Sequence, residues 1–231
     1  DAELVVGNVS SAEDVSKAMA GCDQLVVASS ATPRIQKRSI LKIMLKKLVK
    51  QDPGRPTFRW PPQGTPEEVD YIGGKNQIDA AKKERLEQVV WIGSMGGTQK
   101  DNFLNTIGDG NILLWKRKAE QYLMSSGLKY TIIHPGGLLD KAGGKRELKI
   151  AVDDEILSSD KRAIPRDDVA SVAVACLGLK AAQNMAFDLA SKDEEGGEVE
   201  LNIVDLLKSL RGKSCNYRLN KESVDALTPS V

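Results

Sequence analysis

Histidine is almost absent from the 231-residue sequence: His134 is the single copy, so a histidine-rich metal centre is excluded. Cysteine is scarce too. Cys22, Cys176 and Cys215 make an odd count with no C-x-x-C pair, which argues against a disulfide framework or a cysteine-rich zinc site and fits a reducing compartment. Aromatic residues make up only 4% of the chain. Charge of one sign is missing as well: 33 Lys and Arg stand against 32 Asp and Glu, a net charge of +1, so no global affinity for a polyanion is expected. The longest nearly unbroken apolar stretch, Val169 to Leu179, is too short to span a bilayer, and no targeting peptide is visible at the start. What is present is apolar material at 41%, enough for the core of one large or two small domains; the expectation is an intracellular, single-domain protein over residues 1–231.

Short apolar runs alternate with helical spacing along the chain. Strands are predicted over residues 2–7, 24–28, 88–92, 129–133 and 185–189, and helices over 12–20, 66–84, 111–126, 166–180 and 202–211. Apolar strands separated by helices are the pattern of a parallel α/β sheet covered on both faces. A brief acidic loop, Asp193-Glu194-Glu195-Gly196-Gly197, interrupts the pattern near the end, and a tail over 212–231 follows the last helix.

Two departures from the bare alternation carry chemistry. Between residues 34 and 50, Arg34, Lys37, Arg38, Lys42, Lys46, Lys47 and Lys50 occur without an acidic residue, while Ile40, Leu41, Met44, Leu45 and Leu48 recur at helical spacing. This basic amphipathic helix either packs its stripe on the domain or docks on a membrane surface or an acidic protein partner. The stretch from Pro53 to Pro62 that completes the 34–62 insertion reads as loop, and a loop beyond a strand's carboxyl end lies where open α/β sheets hold their ligands. Glycine clusters stand at three places: Gly93-Ser94-Met95-Gly96-Gly97 and Pro135-Gly136-Gly137 after strands, Gly108-Asp109-Gly110 before a helix. Each alone is a turn signal; together at successive strand ends they suggest a dinucleotide site, although no G-x-G-x-x-G opens a helix. Lys116 lies one turn beyond Ile112, where it either meets a cofactor or belongs to a solvated Lys116-Arg117-Lys118 face.

The strings G-S-M-G-G, L-L-W-K-R-K-A-E-Q-Y-L and S-G-L-K-Y-T-I-I-H-P-G-G-L-L-D resemble the atypical short-chain dehydrogenase/reductase family, closest to its NmrA-like plant and algal plastid branch. The resemblance runs from residue 2 to about 191 and implies a doubly wound Rossmann fold, NADP or NAD as cofactor, and a plastid rather than cytoplasmic setting. Residue by residue, it places Asn8 near the adenine and Ala28, Ser29 and Ser30 along the adenosine ribose. It puts Gly93 and the active-site serine, Ser94, after the next strand, makes Lys116 the cofactor-binding lysine, and sets Pro135, Gly136 and Gly137 beside the nicotinamide. Ser94 and Lys116 are thus the candidate catalytic pair, and no metal is implied.

Three differences from the family pattern matter. Ile112 stands where the family's Y-x-x-x-K motif has its tyrosine, and isoleucine cannot donate a proton; Tyr122 lies on another face of the same helix. His134 replaces an arginine, either as a satisfied structural residue or as a pH-sensitive ligand contact. Finally, residues 4–6 correspond to the family's third strand and 25–28 to its fourth, so the two strands between them, with the phosphate-binding loop, would belong to a βαβ segment of roughly 30 residues or more ahead of residue 1. The functional expectation is an NAD(P)(H)-binding oxidoreductase for a small organic or quinone-like substrate, or a catalytically inactive cofactor-sensing, tethering or accessory subunit. No nucleic-acid recognition motif occurs.

Overall fold

The computed structural model describes residues 2–192 and 199–230; the acidic loop at 193–197 lies outside the described residues. The first helix, α1 (Ala12–Met19), starts where the Ser11 side chain accepts a hydrogen bond from the Asp14 backbone N–H, with Glu13 and Asp14 in the first turn opposing the helix dipole. Val15 and Met19, one turn apart, are its buried face. Strand β1 (Gln24–Val27) follows, then a small excursion in which β2 (Arg34–Ile35) pairs antiparallel with β3 (Phe58–Arg59) around helix α2 (Lys37–Leu48). The predicted loop over 53–62 therefore contains a short strand, held at its base by Gln36 N–H to the Thr57 carbonyl.

A π-helical turn over Glu67–Ile72 runs directly into α3 (Gly73–Lys83), so the single helix expected over 66–84 changes its winding part-way. Then come β4 (Gln88–Ile92), α4 (Phe103–Thr106), α5 (Ile112–Ser125), β5 (Tyr130–Pro135), β6 (Gly137–Leu139), β7 (Leu148–Ala151) and β8 (Ala163–Pro165). Helix α6 (Arg166–Cys176), β9 (Met185–Ser191), α7 (Ile203–Ser209) and α8 (Lys221–Asp225) complete the chain. Helix α6 stops short of the expected residue 180 because Gly178 adopts φ +69°, a left-handed conformation that ends a helix.

The main sheet has the order β1-β4-β5-β9-β7, parallel throughout except for β7, which runs antiparallel along β9. Side-chain parity on β4 shows how both faces are covered. Gln88 reaches the Cys176 carbonyl of α6, while Trp91, of opposite parity, packs against Gly74 of α3 and Ala119 of α5. Gln88 is fully buried yet satisfied, donating to Thr131 Oγ1 and accepting from Gly178 N–H. This is the doubly wound α/β architecture expected from the apolar runs.

Residues 2–7 do not form the expected strand. Leu4 and Val6 are 92% and 98% exposed, and no strand among the described residues lies between them and β1. A strand is stabilised by its neighbour's ladder, and without one the apolar alternation has nothing to pair with. All three cysteines are free, and burial pushes the Cys176 thiol up to about 12. No helix among the described residues is long and apolar enough to cross a membrane.

Candidate functional site

Parallel strands end together, and the loops leaving their carboxyl ends gather the side chains foreseen at dispersed positions. Ala28, Ser29 and Ser30 leave β1, Gly93 and Ser94 leave β4, and Pro135 closes β5; with Lys116 they line one cavity of about 290 Å³. An adjoining cavity of about 480 Å³ shares Ser94 and Pro135 and adds Gly136 and Gly137. Asn8 is the exception: its side chain accepts from Ser10 N–H in the turn before α1, and it lines neither cavity. The walls of the first cavity are chiefly apolar, with Trp60, Leu104, Ile107, Ile112 and Leu138 around the few polar groups.

Trp60 comes from the loop of the 34–62 insertion, which the sequence places on the ligand side of the sheet without giving the residue a site role. Its indole N–H donates to the Gly108 carbonyl (3.0 Å) and its ring lies against Gly110, where a Cβ would come within 2.5 Å of Cζ2. The Gly108–Gly110 cluster is therefore a seat for this ring, and the insertion forms a wall of the cleft.

Lys116 does not belong to a solvated cationic face. It is buried, and its ammonium donates to Asp70 Oδ1 at 2.6 Å, with the two side chains only 9% and 1% exposed. Asp70 also accepts from Ala31 N–H, so it ties the β1 loop to α5. Arg117 is buried as well, stacked 4.2 Å from the Tyr217 ring centroid and donating to the Asn216 carbonyl. Asp70 reaches the site from the π-helical turn; an acidic residue between Val69 and Tyr71 was its only sequence signal. Ile112 lines the cleft on the first turn of α5, whereas the Tyr122 hydroxyl donates to Asp79 on α3, away from it. Ser94 Oγ is half-buried and rests on the Met95 carbonyl.

Beneath the cleft floor, His134 bridges two buried carboxylates: Nε2 lies 3.2 Å from Glu120 Oε2 and Nδ1 3.3 Å from Asp188 Oδ1. Burial alone would lower the imidazole pKa, but the Glu120 charge and the hydrogen bonds to Asp188, Cys215 and Glu120 hold it well above its ordinary value. Burial opposes ionisation of Glu120, and the His134 charge overcomes it, leaving this carboxyl below the usual range; at Asp188 burial wins and the pKa rises. Tyr217 donates to the same Glu120 oxygen at 2.9 Å. Nδ1 of His134, Sγ of Cys215 and the Asp188 carboxylate also lie within 4.8 Å of one another, three donor types able to hold a metal ion, here engaged with each other.

This network supports the site loop. Asp188 Oδ2 accepts from Asp154 N–H, and the Asp154 carboxylate in turn accepts from Gly96 N–H, Thr98 N–H and Thr98 Oγ. Gly93 lines the cleft, and its missing side chain is also required by the floor, since a Cβ there would stand 2.3 Å from Glu120 Oε1 and 2.8 Å from His134 Cδ2. Of the two readings left open for His134, the structural one describes its contacts.

The cleft combines apolar walls with a few polar groups, the Ser29, Ser30 and Ser94 hydroxyls and the Lys116 ammonium. Among the described residues no glycine-rich strand-to-helix turn stands beside β1 to cradle a pyrophosphate. A family model described as NAD(P)H-binding matches residues 1–179. An uncharacterised chloroplastic protein of Arabidopsis thaliana is 47% identical over 198 residues, covering 84% of this chain and 57% of its own length. Sanguinarine reductase of Eschscholzia californica is 45% identical over 204 residues, covering 85% of this chain and 75% of its own. The chain thus spans little more than half of the first relative and three quarters of the second. Among solved structures, a putative NAD-dependent epimerase/dehydratase from Bacillus halodurans superposes with a TM-score of 0.61 at 22% identity, over 89% of this chain and 77% of that one, a likeness of fold.

Proposed function

The chain belongs to the NAD(P)H-binding family, and from that premise we propose that it is a reductase delivering hydride from NADPH or NADH to a small, flat, quinone-like organic acceptor. The observation that carries this reading is the buried Lys116–Asp70 pair at the wall of an apolar cleft. An ammonium offers three donors and Asp70 occupies one, leaving others for ribose hydroxyls. The cofactor supplies the hydride. The protein's own part is to orient: Trp60, Leu104, Ile107 and Leu138 exclude water and hold a ring by its faces, and the serines at the ends of β1 and β4 fix the polar edge. Ile112 donates no proton, so the site favours acceptors that stabilise the incoming electron pair over their own π-system and take a proton from solvent. Similarity to a reductase of a small organic compound, at 45% identity, supports the same class of reaction. The chloroplastic relative supports a plastid location, which a fluorescent fusion of the natural protein would test.

Ile112 also favours a second reading, a cofactor-sensing or accessory subunit in which nucleotide binds without turnover. Fluorescence titration with NADPH and NADH followed by assays with quinones and aldehydes separates the two. Turnover of quinones supports the reductase, saturable binding without turnover the subunit, and no binding of either nucleotide by the natural full-length protein overturns both.

A further inference from the structure

Helix α2 is amphipathic in the usual way but mounted the wrong way round. Ile40, Leu41, Met44, Leu45 and Leu48 share one arc of the helix surface, and Ser39, Ile43 and Lys46 share the opposite one. An amphipathic helix on a globular domain normally turns its apolar arc to the core. Here the half-buried residues are Ser39, Ile43 and Lys46, and no residue of the helix is buried. The arc of Ser39, Ile43 and Lys46 is the less exposed one, and on it Ser39 Oγ accepts from Thr57 N–H of the insertion's returning segment. The aliphatic arc points outward, with Leu41, Met44 and Leu48 at 60%, 63% and 80% exposure. Such a contiguous outward stripe marks a surface that another phase or molecule covers.

The charges say which. Seven cations lie between Arg34 and Lys50 without one acidic residue, in a chain whose total is only +1, so the rest of the protein is net acidic. An anionic surface attracts this helix and repels the remainder, which sets the orientation of approach. The stripe consists of flexible aliphatic side chains with no aromatic residue, unlike the rigid Trp and Tyr anchors that dominate protein–protein hot spots. Arg38, Lys42 and Lys47 flank it on both sides with stems long enough to keep their charges in the headgroup layer while the apolar arc sinks between acyl chains. We infer that α2 is an interfacial helix by which the protein docks reversibly on a bilayer rich in anionic lipid. The inference stands independently of the reductase reading.

Vesicle flotation of the full chain tests it, comparing phosphatidylcholine vesicles with phosphatidylcholine–phosphatidylglycerol vesicles. The expected result is partition onto the anionic vesicles alone, reversed by high salt. Lys42→Gln with Lys47→Gln, each near the surface, weakens partition about 30-fold. Leu41→Ser, Leu45→Ser and Leu48→Ser together abolish it with an unchanged circular dichroism spectrum, since none of the three packs on the domain. Equal partition onto neutral vesicles, or none onto either, overturns the proposal. So does a concentration-dependent dimer dissolved by the same leucine substitutions, or selective binding of a poly-glutamate peptide without vesicle binding; these outcomes would assign the face to a second copy or to an acidic protein partner.

Discussion

Replacing Asp70 by Asn is the sharpest perturbation of the site, because it keeps the shape of the side chain and removes one charge. Lys116 then remains buried with its nearest counter-charge, 2.6 Å away, gone. With an effective dielectric of about 20, the direct attraction across that contact is on the order of 6 kcal/mol, most of it offsetting the desolvation of the two ions. Breaking such a pair from one side costs about 3–5 kcal/mol, because an uncompensated charge is left behind. Out of a typical total near 5–15 kcal/mol, this is a large fraction. Urea unfolding should show a lower midpoint at unchanged slope. Asp70→Asn combined with Lys116→Met removes both charges and should recover most of the loss, so the cycle yields a coupling energy of several kcal/mol. The recovered double variant should nonetheless bind NADPH poorly, because the ammonium donors have gone with the charge. A loss below about 1 kcal/mol for Asp70→Asn would refute the buried pair, and full-strength NADPH binding by the double variant would remove Lys116 from the site.

Other expectations follow from neighbouring contacts. Because the folded pKa of His134 is raised, its protonated form stabilises the fold below about pH 6.5, and that contribution is lost as pH rises through the folded value; His134→Gln should flatten the decline in denaturation midpoint at alkaline pH. Gly93→Ala places a methyl against Glu120 and His134 and should cost about 1–3 kcal/mol by calorimetry, with no effect expected if the floor were open. Trp60→Ala removes an aromatic wall and should raise KM for a quinone acceptor about tenfold while leaving NADPH affinity nearly unchanged. Ile112→Tyr restores a proton donor one turn from Lys116 and should raise aldehyde turnover relative to quinone turnover, read as a ratio of kcat/KM values.

The parts of the fold that could be read from sequence are those whose information is local. Strands β4, β5 and β9 are buried on both faces and write themselves as mostly apolar runs, and the glycine clusters after β4 and β5 mark where the chain turns. Strand β7 could not be seen this way: it is an antiparallel edge with half-buried positions and Lys149 in its middle. Residues 2–7 carry a strand's pattern, but a pattern records propensity, and the ladder depends on a neighbour. The stripe of α2 was legible while its direction was not, since periodicity says which residues share an arc and nothing about what the arc faces. Most of the candidate residues named from sequence meet at the cleft because strand ends converge by topology. Asp70 and the Glu120–His134–Asp188 bridge escaped because their partners come from distant segments, one of them through a π-helical turn that shifts helical phase.

The segment after α7 is bound to the site's supports rather than trailing from them. Cys215 N–H donates to the Ala186 carbonyl, Tyr217 reaches Glu120, the Asn216 carbonyl caps Arg117, and Lys118 donates to the Leu227 carbonyl. On the ribosome, α5 emerges about a hundred residues before these partners are synthesised, at roughly 5–20 residues per second. For those seconds Arg117 lacks its Asn216 acceptor and Glu120, though already within reach of His134, lacks the Tyr217 hydroxyl, so burying Arg117 carries a penalty until the segment arrives. Completion of these supports therefore waits for residues 215–227, well after strands β4 and β5 have been made.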